Sequence, residues 1–144
     1  MSLGDACHLI VDLYGVDKKL LWDKKLTEKF LNSLPAKVGM TIIQKAKILD
    51  YKAANPLDSG LTGIVILAES HCSWHSFPER NLSFLDIFSC SSFNASDAMM
   101  YITETWEPED APYAVLKRGT DFNGERQGLQ VDHAGLENDQ VQQS

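Results

Sequence analysis

The sequence predicts an α+β fold, a two-layer α/β sandwich with a mainly antiparallel sheet and two helices on one face. Three observations carry that expectation. Short branched and aromatic runs recur along the 144 residues, as strands do. Two longer stretches place apolar residues at helical spacing. The links between the middle runs are too short for parallel crossovers, which favours antiparallel neighbours.

Residues 8–14, His-Leu-Ile-Val-Asp-Leu-Tyr, read as the first strand, ended by Gly15. Asp12 within it reads equally as an outward-facing residue or as an acid aimed at a pocket. Asp17 is a candidate N-cap for a helix running to about Leu34. Leu20, Leu21, Trp22, Leu26, Phe30, Leu31 and Leu34 form its apolar side, with Trp22 assigned to the core. Lys18, Lys19, Lys24, Lys25 and Lys29 read as a solvated face. Pro35 and Gly39 are expected to close the helix. Residues 40–51 read as a second strand, blurred at Lys45, Ala46 and Lys47. Residues 53–60 are a loop by composition. The nearly all-apolar run 62–68 reads as a strand buried on both faces or nearly so. A fourth strand covers about 71–77 and stops at Pro78, Asn81 marks a turn, and 83–90 make a fifth. Residues 94–97 open a second helix through about Trp106, with Ala98, Met99, Tyr101 and Ile102 on its apolar side and Pro108 beyond its end. Residues 112–118 form a last short strand. The chain thus divides into one domain over 1–120 and an acidic tail over 121–144 expected to lack structure. The order β-α-β-β-β-β-α-β leaves one sheet face in need of a cover or a partner subunit.

The formal net charge is −7, which argues against electrostatic binding of nucleic acid. Nine of the twenty acidic residues lie beyond residue 103, against three of the thirteen basic ones, so the excess belongs to the tail. No apolar run approaches the length of a membrane span. The start, Met1-Ser2-Leu3-Gly4-Asp5, lacks the features of a secretory signal, which makes the cytoplasm the expected location. Three cysteines, Cys7, Cys72 and Cys90, do not form a disulfide framework. His71 and His75 stand four apart, a metal-binding spacing only on a helix, and the pattern there is a strand.

The apolar run 64–67 leads straight into Ala68-Glu69-Ser70-His71-Cys72-Ser73-Trp74-His75-Ser76-Phe77-Pro78-Glu79, the stretch richest in nucleophiles and bases. A peptide bond before serine can rearrange. The Ser70 hydroxyl attacks the Glu69 carbonyl carbon, the resulting ester breaks by β-elimination, and hydrolysis leaves a pyruvoyl group and ammonia. Thr62 or His75 can stabilise or protonate the intermediate, and His75 can serve as base. Spacing alone favours a plainer reading, a half-buried strand with polar residues on one face. Strict alternation also sets Ser70 and His75 on opposite faces. The two meet only if Ser70 sits at a bend or bulge. Cys90, by the same standard, reads as a small core residue on a buried strand.

Four separate pieces of the sequence change that balance. Glu-Ser-His-x-x-x-His-x-Phe-Pro-Glu at 69–79 is followed by Leu-Asp-Ile-Phe-Ser-Cys at 85–90, preceded by Gly60-Leu61-Thr62-Gly63, and the chain opens with His8-Leu9-Ile10-Val11-Asp12-Leu13-Tyr14-Gly15. Together, over about residues 6–120, they resemble the small prokaryotic S-adenosylmethionine decarboxylase family. The resemblance implies self-cleavage between Glu69 and Ser70 into chains 1–69 and 70–144. Ser70 becomes the pyruvoyl cofactor, which forms a Schiff base with the substrate amine and needs neither a metal nor pyridoxal phosphate. His75 then serves as processing base, Thr62 as processing helper and Cys90 as proton donor to the α-carbon, while Cys7 and Cys72 stay structural. The implied product is the aminopropyl donor for spermidine synthesis. The implied assembly is a homodimer with active sites near the subunit interface.

Substrate choice rests on fewer residues. Glu79 resembles the family's ribose-binding acid, and Phe77 stands where the family often carries an aromatic. The loop 53–60, which usually supplies an aromatic to stack on adenine, has none here and carries Asp58 instead. A carboxylate there suits a cationic amine, so decarboxylation of arginine or ornithine stands as the alternative to S-adenosylmethionine. An uncleaved regulatory subunit without activity is a further alternative.

Overall fold

The computed structural model describes residues 6–119 and 130–135. Seven strands form one sheet: β1 (Ala6–Tyr14), β2 (Ile42–Tyr51), β3 (Gly60–Leu67), β4 (Ser70–Phe77), β5 (Leu82–Ser89), β6 (Tyr113–Arg118) and β7 (Gln130–Gly135). Their order is β2-β3-β4-β5-β1-β6-β7, and every neighbouring pair is antiparallel. The helices are α1 (Lys18–Leu21), α2 (Lys24–Lys37) and α3 (Ala95–Trp106). The architecture is the expected α+β sandwich.

Alternation along the strands decides what is inside. Leu9, Val11 and Leu13 of β1, Val65 and Leu67 of β3, Trp74 of β4 and Leu85 and Ile87 of β5 are buried. They meet Phe30, Leu31 and Leu34 of α2 and Ala98, Ile102 and Trp106 of α3 in one core. Its centre is aromatic. Trp74 and Trp106 stack at 4.5 Å between centroids, and Phe30 meets them at 5.6 and 5.3 Å. Such pairs add about 0.5–1.5 kcal/mol each beyond burial.

Several expectations are corrected. The first helix is two helices. Asp17 caps α1 through Lys19 N at 2.9 Å, and Asp23 caps α2 through Leu26 N at 3.0 Å. A second side-chain cap gives the backbone an alternative to continuing the helix. Trp22, at the break, is 36% exposed rather than part of the core. Pro35 lies within α2 instead of closing it. Its missing N–H costs one bond in the last turn, and Gly39, at φ 77°, follows the helix end. In β2 the register shifts between Ile42 and Lys47, where the lysines blurred the pattern. The Ala46 N–H there finds Asn32 Oδ1 of α2 at 2.7 Å.

The other sheet face is open, so β3 is not buried on both sides. Ile64 and Ile66 are 45% and 41% exposed, beside exposed Leu49, Tyr51 and Phe84. The helices cover one face only, and β3 is apolar on both. A further correction concerns the stretch expected to lack structure, where residues 130–135 form β7 against β6. The rest of that stretch, and residues 1–5 at the start, lie outside the described residues. Among the described residues no helix is long and apolar enough to cross a membrane.

Candidate active site

β3 and β4 form a tight hairpin. Leu67 pairs with Ser70, which leaves Ala68 and Glu69 as the loop. The Ala68 N–H is pinned by the Thr41 carbonyl at 2.9 Å. Glu69 has φ 63°, a left-handed backbone uncommon for a residue with a Cβ. A left-handed bend therefore stands directly before Ser70, while Ser70 itself pairs in regular register with Leu67. The Ser70 Oγ accepts a bond from the Cys90 N–H at 3.3 Å. The strand register sets the end of β5 beside the start of β4, and Cys90 is half-buried there.

Thr62 and His75 form a second pair. They face each other in the β3-β4 register, with Thr62 Oγ1 and His75 Nδ1 3.1 Å apart on the open face. This pair does not meet Ser70 within the chain. Five residue steps of extended strand separate His75 from Ser70, about 16 Å. The structure thus joins Ser70 to Cys90, and Thr62 to His75, as two separate pairs.

The Thr62–His75 end opens into a cavity of about 290 Å³ lined by Tyr51, Asp58, Gly60, Thr62, His75, Ser76 and Phe77. Gly60 pairs with Tyr51 of β2, and a Cβ on it would collide with the Ser76 carbonyl oxygen. Only glycine permits that approach. Tyr51 is the residue that reading from sequence missed. Alternation along β2 carries its signal, since Leu49 opposite Thr62 puts Tyr51 on the same face.

Asp58 is not a free carboxylate. Arg80 holds its Oδ1 at 2.9 Å and also donates to the Leu57 carbonyl at 3.1 Å. Glu79 lies in the 3-10 turn Pro78–Arg80, two residues beyond Phe77. Its carboxylate accepts from Trp22 Nε1 at 3.0 Å and from Lys18 Nζ at 3.3 Å. The Trp22 bond, then the Lys18 bond, lowers the Glu79 carboxyl below its usual range. Cys7 and Cys72 are buried, and burial pushes the Cys72 thiol well up, so Cys72 is inert at neutral pH. Among the described residues no three His, Cys, Asp or Glu side chains gather to hold a metal.

Fold and hairpin together define a class, an open-faced α+β sandwich with a left-handed turn directly before a serine. The chain belongs to the S-adenosylmethionine decarboxylase family, whose model matches residues 7–119. It is 36% identical over 126 residues to the S-adenosylmethionine decarboxylase proenzyme of Thermoplasma volcanium, covering 87% of this chain and 92% of that one. To the proenzyme of Thermoplasma acidophilum it is 34% identical over 137 residues, covering 94% and 99%. The crystal structure of the adenosylmethionine decarboxylase from Aquifex aeolicus superposes with a TM-score of 0.70 at 26% identity, covering 88% of this chain and all of that one.

Proposed function

We propose that this chain is a self-processing S-adenosylmethionine decarboxylase whose active sites form between two copies. The observation that carries the reading is the β3-β4 hairpin, where a left-handed Glu69 precedes a serine whose hydroxyl is held against the end of β5. In this reading the Ser70 Oγ attacks the Glu69 carbonyl carbon. The C–N bond breaks and the acyl group passes to oxygen as an ester. Loss of the Ser70 α-proton expels the Glu69 carboxylate, and hydrolysis releases ammonia and leaves a pyruvoyl group at residue 70. The left-handed backbone stores about 1–2 kcal/mol, which the cut releases.

His75, fixed through Nδ1 by Thr62, carries protons during processing. The pyruvoyl carbonyl supplies an electron sink for the decarboxylation. Cys90 returns a proton from Sγ to the substrate α-carbon. Because His75 lies about 16 Å along the strand from Ser70 of its own chain, the Thr62–His75 pair serving each Ser70 comes from the second copy. The open face with Leu49, Ile64, Ile66 and Phe84 is the surface that copy covers; Ser70, next to the bend at Glu69, must turn toward that face for the two to meet.

The cavity supports S-adenosylmethionine over arginine or ornithine. The carboxylate those amines require, Asp58, is already neutralised by Arg80. Tyr51 and Phe77 line the cavity instead, and aromatic rings suit a planar base. An intact set of Ser70, His75 and Cys90 argues against an uncleaved regulatory subunit.

Intact mass of the purified protein tests the first half of the reading. Two fragments meeting between Glu69 and Ser70 are expected, and one whole chain stable over days would overturn it. Carbon dioxide release from S-adenosylmethionine, arginine and ornithine in parallel tests the second. Release from arginine or ornithine alone would reverse the substrate assignment.

A further inference from the structure

We infer that Trp22 and Lys18 are positioning residues for Glu79, fixing its carboxylate in one orientation before substrate binds. The inference rests on Glu79 being the substrate-binding acid.

The local sequence builds this arrangement. α1 is only four residues long, and Asp23 restarts the chain as α2. Trp22 caps the C-terminus of α1 and is thereby taken off the apolar side it would share in one continuous helix. Lys18 and Trp22 stand one turn apart, so their side chains leave the same face. Both reach a residue about sixty positions away, and each takes a different oxygen. Nζ meets Oε1 at 3.3 Å, and the indole Nε1 meets Oε2 at 3.0 Å.

The turn that carries Glu79 is held on its other flank as well. Arg80 binds the Asp58 carboxylate and the Leu57 carbonyl. Asn81 exchanges bonds with Val16, its Nδ2 donating at 2.9 Å and its carbonyl accepting at 3.1 Å. An exposed carboxylate on a free rotor spends side-chain entropy when it binds. Here that entropy is spent before substrate arrives. An ionised carboxylate has about four acceptor sites. Two bonds leave one on each oxygen, the arrangement that two neighbouring hydroxyls fill.

Trp22 closes α1, and its indole supplies a donor as well as a packing surface. An apolar ring at that position covers the same surface, but only indole or a similar ring donates a bond. Trp22→Phe therefore separates positioning from packing, and Lys18→Met removes the other donor. Steady-state kinetics of the cleaved enzyme with S-adenosylmethionine is the readout. Each variant is expected to raise KM about threefold to tenfold while kcat, self-cleavage and melting temperature hold. The acidic limb of kcat/KM should move to higher pH, since the Glu79 carboxyl loses the bonds that lower it. Lys18→Arg should restore both.

A KM equal to the parent's in Trp22→Phe and Lys18→Met overturns the inference. So does a lowered melting temperature without a change in KM, which would make the contacts a structural tie. Glu79→Gln separates the two layers of argument. If it raises KM while the donor variants do not, positioning alone fails. If it leaves KM unchanged, the reading of Glu79 itself fails and the inference falls with it.

Discussion

Two inactive variants should repair each other. Ser70→Ala removes the proposed nucleophile and His75→Ala the proposed proton carrier, so each alone should stay one uncut chain. Within one chain the two residues are about 16 Å apart along β4, and proton transfer needs about 3 Å. A mixed pair holds one competent site, in which Ser70 of the His75→Ala chain meets His75 of the Ser70→Ala chain. With equal co-expression and random pairing, about half of all pairs are mixed. About half of the His75→Ala chains should therefore be cut, and none of the Ser70→Ala chains. Tags of different mass on the two chains make this readable by intact mass spectrometry. No cutting in the mixture would refute the reasoning, because the site would then lie within one chain. Cutting of His75→Ala alone would remove His75 from the processing step.

Three further outcomes follow from the same geometry. Ile64→Lys, on the open face, should leave the single chain folded while light scattering shows the pair lost and cleavage lost with it. Gly60→Ala should destabilise by about 1–3 kcal/mol in denaturant unfolding, because its Cβ meets the Ser76 carbonyl oxygen. The His8 imidazole is lowered below 6.5, chiefly by burial and against the pull of Asp86, with Arg118 and His71 adding to the lowering. The unfolded chain then takes up the proton first, so stability is full above 6.5 and falls as pH drops toward the folded value. Melting curves across pH 5–7 (roughly the range of histidine titration) should flatten in His8→Gln.

The hairpin and its neighbours were legible because their signals are local. Asn94 caps α3 through Asp97 N at 3.1 Å, Pro78 stops β4, and Asn81 takes a left-handed turn, all of which short-range chemistry dictates. The break at Asp23 was hidden because apolar spacing ignores a cap on the polar side. The open face was hidden for another reason. An apolar run such as 62–68 reports what a strand is able to bury, not what its own chain supplies to bury it. β7 is held by pairing with β6 rather than by apolar content, so composition read it as tail. The partners of Asp58 and Glu79 were invisible from sequence. Arg80 lies 22 residues from the first, and Trp22 lies 57 residues from the second. Only the folded register brings either close.

The strand order has a consequence for the proposed cut. A break after Glu69 leaves β1, β2 and β3 on one piece and β4 to β7 on the other. In the sheet, β3 lies against β4, and β1 lies between β5 and β6. The two pieces are therefore interleaved, with a strand of the first clasped on both edges by strands of the second. Three hydrogen-bonded ladders cross the boundary, and no sliding motion separates them. The cut protein should survive dilution as one body and melt in one step. The reverse journey is harder. Pieces made apart would have to thread β1 between two strands already able to pair with each other. The uncut chain is, in that sense, an assembly tether that becomes dispensable once the sheet has closed around its first strand.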